Sequence, residues 1–354
     1  MIQRQVTRQI NVGGIGIGGD SPITVQTMTN SNTEDIDATL RQIQDSANAG
    51  CDLIRVSCPT KVATQALHDI AKRSPVPIIA DIHFHYKRAI EALDAMAACA
   101  RINPSNISPS DIAEIVNAAR YNGAAIRIGI NSGSLEESVL KKYGEPTAEA
   151  IVESAVSHCH RLEDLGFTNF KVSVKSSDVR TMIAAYRRLS EEIDYPLHLG
   201  VTEAGPVVSG TIKSAIGIGA LLADGIGDTI RVSLSGSIVD EVNTGRQILK
   251  SLGLLANCVN VVSCPTCARS SIDVIRIASA LEEHCSTIQK AVKISVLGCV
   301  VNGIGEAKNA DIGVFGFTKG IAKVYVRGEE HTTVANDHVA ETVLDILRKS
   351  SDLQ

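Results

Sequence analysis

The sequence predicts an α/β protein, with a (β/α)8 barrel of the TIM type over residues 1–252 and a small α+β domain over residues 253–354. Three observations lead there. Short β-branched runs alternate with helical patterns from about residue 23 to 234, the rhythm of parallel βα units. Several of those runs set a cation between aliphatic residues. Beyond residue 257 the character changes, and two cysteine-bearing segments each follow an apolar run.

The predicted strands, in order, are Ile23–Thr29, Leu53–Ser57, Pro77–Ile82, Ala100–Asn103, Ala125–Asn131, Phe170–Lys175, Pro196–Thr202 and Thr229–Leu234. Eight such units in series fit a closed barrel better than an open sheet. Helical spacing of apolar residues marks Ala148–Leu165 and Asp178–Glu192, and a helix around Asp240–Ser251 completes the barrel. Ahead of the first strand, Gly14-Ile15-Gly16-Ile17-Gly18-Gly19 satisfies a dinucleotide-binding pattern but leads into a strand, so a hairpin at the barrel's closed end is expected. His83-Phe84-His85 imitates the His-x-His of metal-dependent barrel hydrolases. Later strand ends offer Asn131, Lys175 and Arg231 instead of further ligands, so a metal pair is not expected there.

The informative residues are polar ones within strands. Ile54-Arg55-Val56-Ser57, Ile126-Arg127-Ile128 and Ile230-Arg231-Val232-Ser233 repeat one idea; Ala100-Arg101-Ile102-Asn103 and Phe170-Lys171-Val172-Ser173-Val174-Lys175 vary it. Strand side chains alternate faces, so if the aliphatics meet the surrounding helices, the cations enter the barrel. Buried unpaired charge costs several kcal/mol per ion, to order of magnitude. Inward carboxylates such as Asp81 answer some of it, but the converging cations outnumber them. A phosphate or diphosphate ligand is therefore expected, since arginine matches phosphate oxygens bidentately. Asn103, Asn131, Ser233 and Ser235 add neutral donors near strand C-termini, where barrel sites form.

Composition narrows the classes. With 44% hydrophobic and 21% charged residues the chain is ordinary globular protein. A formal net charge of -5 argues against a general nucleic-acid binder, and the absence of tryptophan argues against base-stacking platforms. The N-terminus lacks a secretion-type apolar core, and no run of about 18 apolar residues predicts a membrane span. Nine cysteines without an export signal suggest a reducing, cytoplasmic setting. Cys51, Cys58, Cys99, Cys159, Cys258 and Cys285 read as buried thiols.

The other three cysteines carry chemistry. After a join near Gly253–Asn257 come strand Val259–Ser263, Cys264-Pro265-Thr266-Cys267, and a helix from Ser271 to His284. Strand Val292–Leu297 leads to the turn Gly298–Glu306 bearing Cys299. Strands Ile312–Phe315 and Ile321–Val326 and a closing helix Ala335–Lys349 follow. Cys264, Cys267 and Cys299 make a three-sulfur face. Proline beside a ligand cysteine and an apolar glycine-rich turn favour an iron–sulfur cluster. Zinc stays open, with His284 or Cys285 nearby as a fourth ligand. Glu306 is a candidate fourth ligand, although glutamate in a loop is usually a solvated acid.

Together these segments resemble the 4-hydroxy-3-methylbut-2-enyl diphosphate synthase family, in its two-domain bacterial form. The resemblance rests on Pro22–Asn30, Ala80-Asp81-Ile82-His83-Phe84, Arg101-Ile102-Asn103-Pro104, Gly200-Val201-Thr202-Glu203-Ala204-Gly205, Asp224–Ser233, Ser263–Cys267 and Gly298–Gly303. It implies a 4Fe–4S cluster held by Cys264, Cys267, Cys299 and Glu306. It also implies reductive ring opening and dehydration of 2-C-methyl-D-erythritol 2,4-cyclodiphosphate to 4-hydroxy-3-methylbut-2-enyl diphosphate, an isoprenoid precursor. Arg55, Arg101, Arg127, Lys175 and Arg231, with Asn131 and Ser233, are the implied diphosphate ligands. Glu203 is the implied acid/base group, with ion pairing to the same cations as its plainer role. The resemblance further implies a head-to-tail homodimer and electrons from flavodoxin or ferredoxin. His85, Ser105, Ala268 and Ile304 depart from the family's usual residues without removing a ligand or a phosphate cation. Three rival readings are a non-catalytic iron–sulfur carrier or sensor, a zinc-stapled phosphate-binding barrel lyase or transferase related to pterin-binding synthases, and a scaffold whose barrel binds phosphorylated ligands without turnover.

Overall fold

The computed structural model describes residues 2–82, 85–285, 288 and 290–349. His83 and Phe84 of the His-x-His segment lie outside them. The chain divides into two compact units between Leu254 and Leu255.

The first unit opens with an antiparallel hairpin, β1 (Ile10–Val12) and β2 (Ile15–Ile17). Its turn is Gly13-Gly14, both at positive φ, as a type I′ turn demands. Ile10, Val12 and Ile17 pack on Leu53, Ile79, Cys99 and Ala125, which lie in the first halves of their strands, so the hairpin plugs the barrel's N-terminal end. The dinucleotide-like glycines therefore serve a plug.

Among the described residues the barrel strands are β3 (Thr24–Met28), β4 (Leu53–Ser57), β5 (Ile78–Asp81), β6 (Cys99–Ile102), β7 (Ala125–Asn131), β8 (Phe170–Lys175), β9 (His198–Leu199) and β10 (Thr229–Ile230). Their spatial order is β8-β7-β6-β5-β4-β3-β10-β9, every pair parallel. A parallel bridge from Val172 to Leu197 joins the two edges, so the ring nearly closes. The helices are α1 (Ile36–Asn48), α2 (Lys61–Arg73), α3 (Tyr86–Asp94), α4 (Pro109–Tyr121), α5 (Glu137–Tyr143), α6 (Ala148–Asp164), α7 (Val179–Glu192), α8 (Val207–Ala223) and α9 (Ile238–Ser251). Side-chain caps start many of them: Asp35, Thr60, Ser108, Thr147, Asp178 and Ser237 each accept a first-turn N–H. None of the described helices is long and apolar enough to cross a membrane.

The second unit is a mixed sheet in the order β11 (Val259–Ser263), β12 (Val292–Leu297), β13 (Ile312–Thr318), β14 (Ile321–Val326), β15 (Glu329–Ala335). Pairing is parallel as far as β13 and antiparallel after it. Helices α10 (Val274–Cys285) and α12 (Val339–Lys349) bury Ile277, Leu281, Val343 and Leu347 in one core with Ile294, Val296, Val314 and Val324. Two corrections arise here. The expected turn at Gly298–Glu306 is largely a helix, α11 (Val300–Lys308). It forms because Gly303 and Gly313 let it approach β13: a Cβ on Gly303 would stand 2.4 Å from Phe315 and one on Gly313 2.3 Å from Ala307. Strand β15 was not expected, because its charged, exposed residues lack apolar alternation. A smaller correction is Cys258, half-buried where a buried thiol was expected.

Candidate active site

Register puts the barrel cations on one inward face. Asp81 pairs with Arg101, Arg101 with Arg127, Arg127 with Lys171, and further along Asn131 with Lys175. The intervening aliphatics point outward: a Cβ on Gly245 of α9 would meet Val25, Ile230 and Val232. Inside, Arg127 Nη1 donates to Gln26 Oε1 at 3.4 Å, and Arg55 donates to the Met28 sulfur at 2.9–3.0 Å. Two glycines, one within β7 and one just after β9, make the space. A Cβ at Gly129 would lie 2.6 Å from Arg101 Nε, and one at Gly200 would lie 2.8 Å from Lys175 Nζ.

Carboxylates answer only part of this charge. Asp81 stands 3.8 Å from Arg55 and 3.4 Å from Arg101. Glu241, from the first turn of α9, meets Arg231 at 3.1 Å and also accepts from Thr27 and the Leu234 N–H. The Nε atoms of Arg101, Arg127 and Arg231 and the Lys171 ammonium have no partner among the described residues. Burial, then repulsion from Arg55 and Arg101, pushes Arg127 well below its ordinary range. Burial, then Arg127, Arg231, Arg55 and Arg101, does the same to Lys175. Lys171, fully buried, is brought down to about 8, chiefly by burial. His198, facing the same cations, is held well below its usual value by burial and then by Arg127. Such a cavity is electrostatically unfinished, and its excess of cations suits a multiply charged anion.

At the strand C-termini sit the neutral donors. Asn103 Nδ2 donates to Ser134 Oγ at 2.9 Å. With its amide turned to accept from Arg101 Nη2 at 3.3 Å, Asn131 joins the cation ring. Ser233 Oγ accepts from Arg231 Nη1 at 2.6 Å, and the Ser235 N–H bonds to Gly205 O at 2.9 Å. Glu203 is exposed in the loop after β9 and holds φ +54, a left-handed conformation that costs a non-glycine residue roughly 1–2 kcal/mol. Strain of that kind at a barrel mouth marks a side chain aimed by its loop.

The second unit gathers its thiols at one sheet edge. Cys264 follows β11 and Cys299 follows β12, adjacent parallel strands. The Gly298 N–H donates to Cys264 Sγ at 3.2 Å, tying the two loops together. Thr266, at φ +63, turns the chain between Cys264 and Cys267. Cys299 is the N-cap of α11, where the helix dipole favours thiolate. Glu306 lies seven residues on, nearly the same helix face, with its Cα roughly 10 Å along the axis. Its side chain is exposed. Among the described residues no three His, Cys, Asp or Glu side chains are already drawn to metal-ligand distance. Three soft thiols on one edge nevertheless suit an iron–sulfur centre.

Sequence reasoning named the cations but missed Glu241 and Gln26, their buried partners. Glu241 had no signal, since a glutamate in the first turn of an amphipathic helix reads as a solvated dipole partner. Gln26, inside a predicted strand, carried the same inward parity as Thr24 and Met28 and was legible.

Fold and site define a (β/α)8 barrel protein with a cation-lined interior and a thiol-bearing α+β second unit. The family described as GcpE TIM-barrel domain matches residues 7–246, and GcpE protein C-terminal domain matches residues 260–349. The chain belongs to this family, that of the 4-hydroxy-3-methylbut-2-en-1-yl diphosphate synthases (flavodoxin). Similar relatives so named are those of Hyphomonas neptunium, 53% identical over 98% of this chain and 91% of that protein, and Zymomonas mobilis, 54% identical over 97% and 92%. Among solved structures, a dihydropteroate synthase from Stenotrophomonas maltophilia is similar at a TM-score of 0.52 and 14% identity, covering 70% of this chain and 97% of its own. That likeness shows the barrel fold alone.

Proposed function

We propose that the chain reduces 2-C-methyl-D-erythritol 2,4-cyclodiphosphate, opening its ring to 4-hydroxy-3-methylbut-2-enyl diphosphate with two electrons, two protons and loss of water. Family membership carries the reaction. The observation that carries the site is the inward ring of Arg55, Arg101, Arg127, Lys175 and Arg231, set against only Asp81 and Glu241 among the described acids. A carrier or sensor has no use for that ring, and a zinc-stapled synthase leaves the three-thiol edge without its redox role.

The diphosphate is held by those five cations, with Asn131 and Ser233 adding neutral contacts. Charge-assisted bonds in a water-poor interior are about twice as strong as neutral ones. The cations stabilise the leaving diphosphate as the ring opens, because they are already in place and need no reorganisation. Cys264, Cys267, Cys299 and Glu306 would hold a 4Fe–4S cluster, which would supply the electrons. Glu203 delivers the proton with which the departing hydroxyl leaves as water. The electron donor is a flavodoxin, as in the relatives' names, with ferredoxin as the other small carrier of that kind. The protein works in the cytoplasm as a head-to-tail homodimer. The exposed stripe Val208, Ile212 and Ile216 on α8 supports a second copy as partner.

Anaerobic purification followed by iron, sulfide and zinc analysis tests the proposal. About four irons and four sulfides per chain are expected, with a visible spectrum that the cyclic diphosphate perturbs and turnover with reduced flavodoxin. Stoichiometric zinc, no visible band and failed reconstitution overturn it.

A further inference from the structure

One buried cluster outside the cation ring has no part in the chemistry above. Glu136, the residue preceding α5, turns its carboxylate into a pocket on α6. Ser154 Oγ donates to Oε2 at 2.7 Å and His158 Nε2 donates to Oε1. Ser154 and His158 are almost completely buried, and Glu136 is only a quarter exposed. Burial opposes ionisation of Glu136, but the bonds from His158 and Ser154 outweigh it and hold the carboxyl down at about 2. Driving an ionised carboxylate into a buried pocket is costly unless it is fully bonded, so this contact is built.

The loop it anchors is the one that follows β7. Glu136 lies five positions after Asn131. Between them Ser134 Oγ accepts from Asn103 Nδ2 at 2.9 Å and lies 3.4 Å from the Asn131 carbonyl. Asn131 in turn accepts from Arg101. The helix α5 has its own tie to α6, through Lys142 and Tyr143 to Glu153 at 2.5 and 2.6 Å. Holding that helix down therefore does not require Glu136. What requires it is the short loop between α5 and the barrel mouth.

We infer that Glu136 is a positioning residue for the diphosphate: clamped by His158 and Ser154, it sets the β7 loop so that Asn131 stands in the cation ring. The inference rests on the reading of Asn131 as a substrate contact. Its test uses cluster-loaded holoenzyme, comparing Glu136→Ala, Asn131→Ala, the double variant and, as a surface control, Glu137→Ala. Glu136→Ala is expected to raise KM for the cyclic diphosphate about tenfold with kcat within about twofold, the pattern of lost uniform binding. The double variant should match Asn131→Ala alone, since residues acting through one another are not additive. Glu136→Gln, which keeps one of the two bonds, should recover part of the affinity, and Glu137→Ala should change nothing. A lowered Tm with unchanged KM, or KM effects that multiply in the double variant, overturns the clamp and leaves Asn131 as a ligand. Unchanged KM in Asn131→Ala overturns the reading beneath both.

Discussion

The barrel interior and the thiol edge of the second unit solve the same problem of holding charge in opposite ways. In the barrel, the cations stand on strands or, for Arg231, directly after one, aligned by register with room made by Gly129 and Gly200. Its positive charge exists before any ligand arrives, at a cost visible in Arg127 and Lys175, which burial and mutual repulsion push toward neutrality. At the thiol edge, the ligands stand on loops and a helix start, joined by one N–H to sulfur bond. The barrel cations are set in place by the protein alone; the three thiols share one edge but, among the described residues, are not drawn to metal-ligand distance. The lesson is that strand register fixes a site more firmly than loops do.

That contrast is testable, and the largest effect comes from separating the two regions. Iron removal by an anaerobic chelator should abolish turnover, while calorimetry still finds the cyclic diphosphate bound within about tenfold of the holoenzyme, since charge-assisted barrel contacts carry the larger share. Loss of binding along with iron would mean that the barrel is not preorganised. Next, Glu203→Gln should cut kcat by about 10²–10⁴, the usual contribution of a general acid–base, with cluster content and substrate affinity unchanged. Normal turnover would remove Glu203 from the mechanism.

Arg231→Ala should weaken diphosphate binding by about 10–150-fold, the span of one or two charge-assisted bonds. It also leaves Glu241 short of a partner, so Arg231→Lys is the control that keeps the charge; unchanged affinity in both would count against the cation ring. The smallest effect concerns stability. Lys171 titrates near 8 when folded and near 10.5 when unfolded. Between those values the unfolded chain binds the extra proton, so the wild-type chain gains stability as pH rises through that window. Lys171→Met removes the penalty. Its Tm should exceed that of the wild type at pH 7, and the gap should narrow from about pH 8 upward. A gap independent of pH would mean that Lys171 holds its proton as tightly in the folded protein as in the unfolded chain.

Much of this was legible in the sequence because the relevant patterns are local. A strand boxed by β-branched residues shows itself, and Leu53–Ser57, Ala125–Asn131 and Phe170–Lys175 coincide with observed strands. The alternation that put Arg55, Arg101, Arg127, Lys175 and Arg231 on one face is a property of the backbone, so parity alone placed them inward. Cys264, Cys267 and Cys299 announced themselves by spacing and by the apolar strands before them.

What residue order by itself determined, then, was the elements, the parity of the cations and the presence of the sulfur ligands, because each depends on neighbours within a few residues. Only tertiary structure decided the rest. Val300-Val301-Asn302-Gly303-Ile304-Gly305 has poor helix propensity and reads as a turn, yet packing against Phe315 makes it α11. Glu241 becomes the partner of Arg231 because α9 is folded back against β3 and β10, 10 residues later in sequence than the arginine it meets. Glu136 finds His158 across 22 residues. Contacts of that range are set by how elements stack, and no local pattern encodes them.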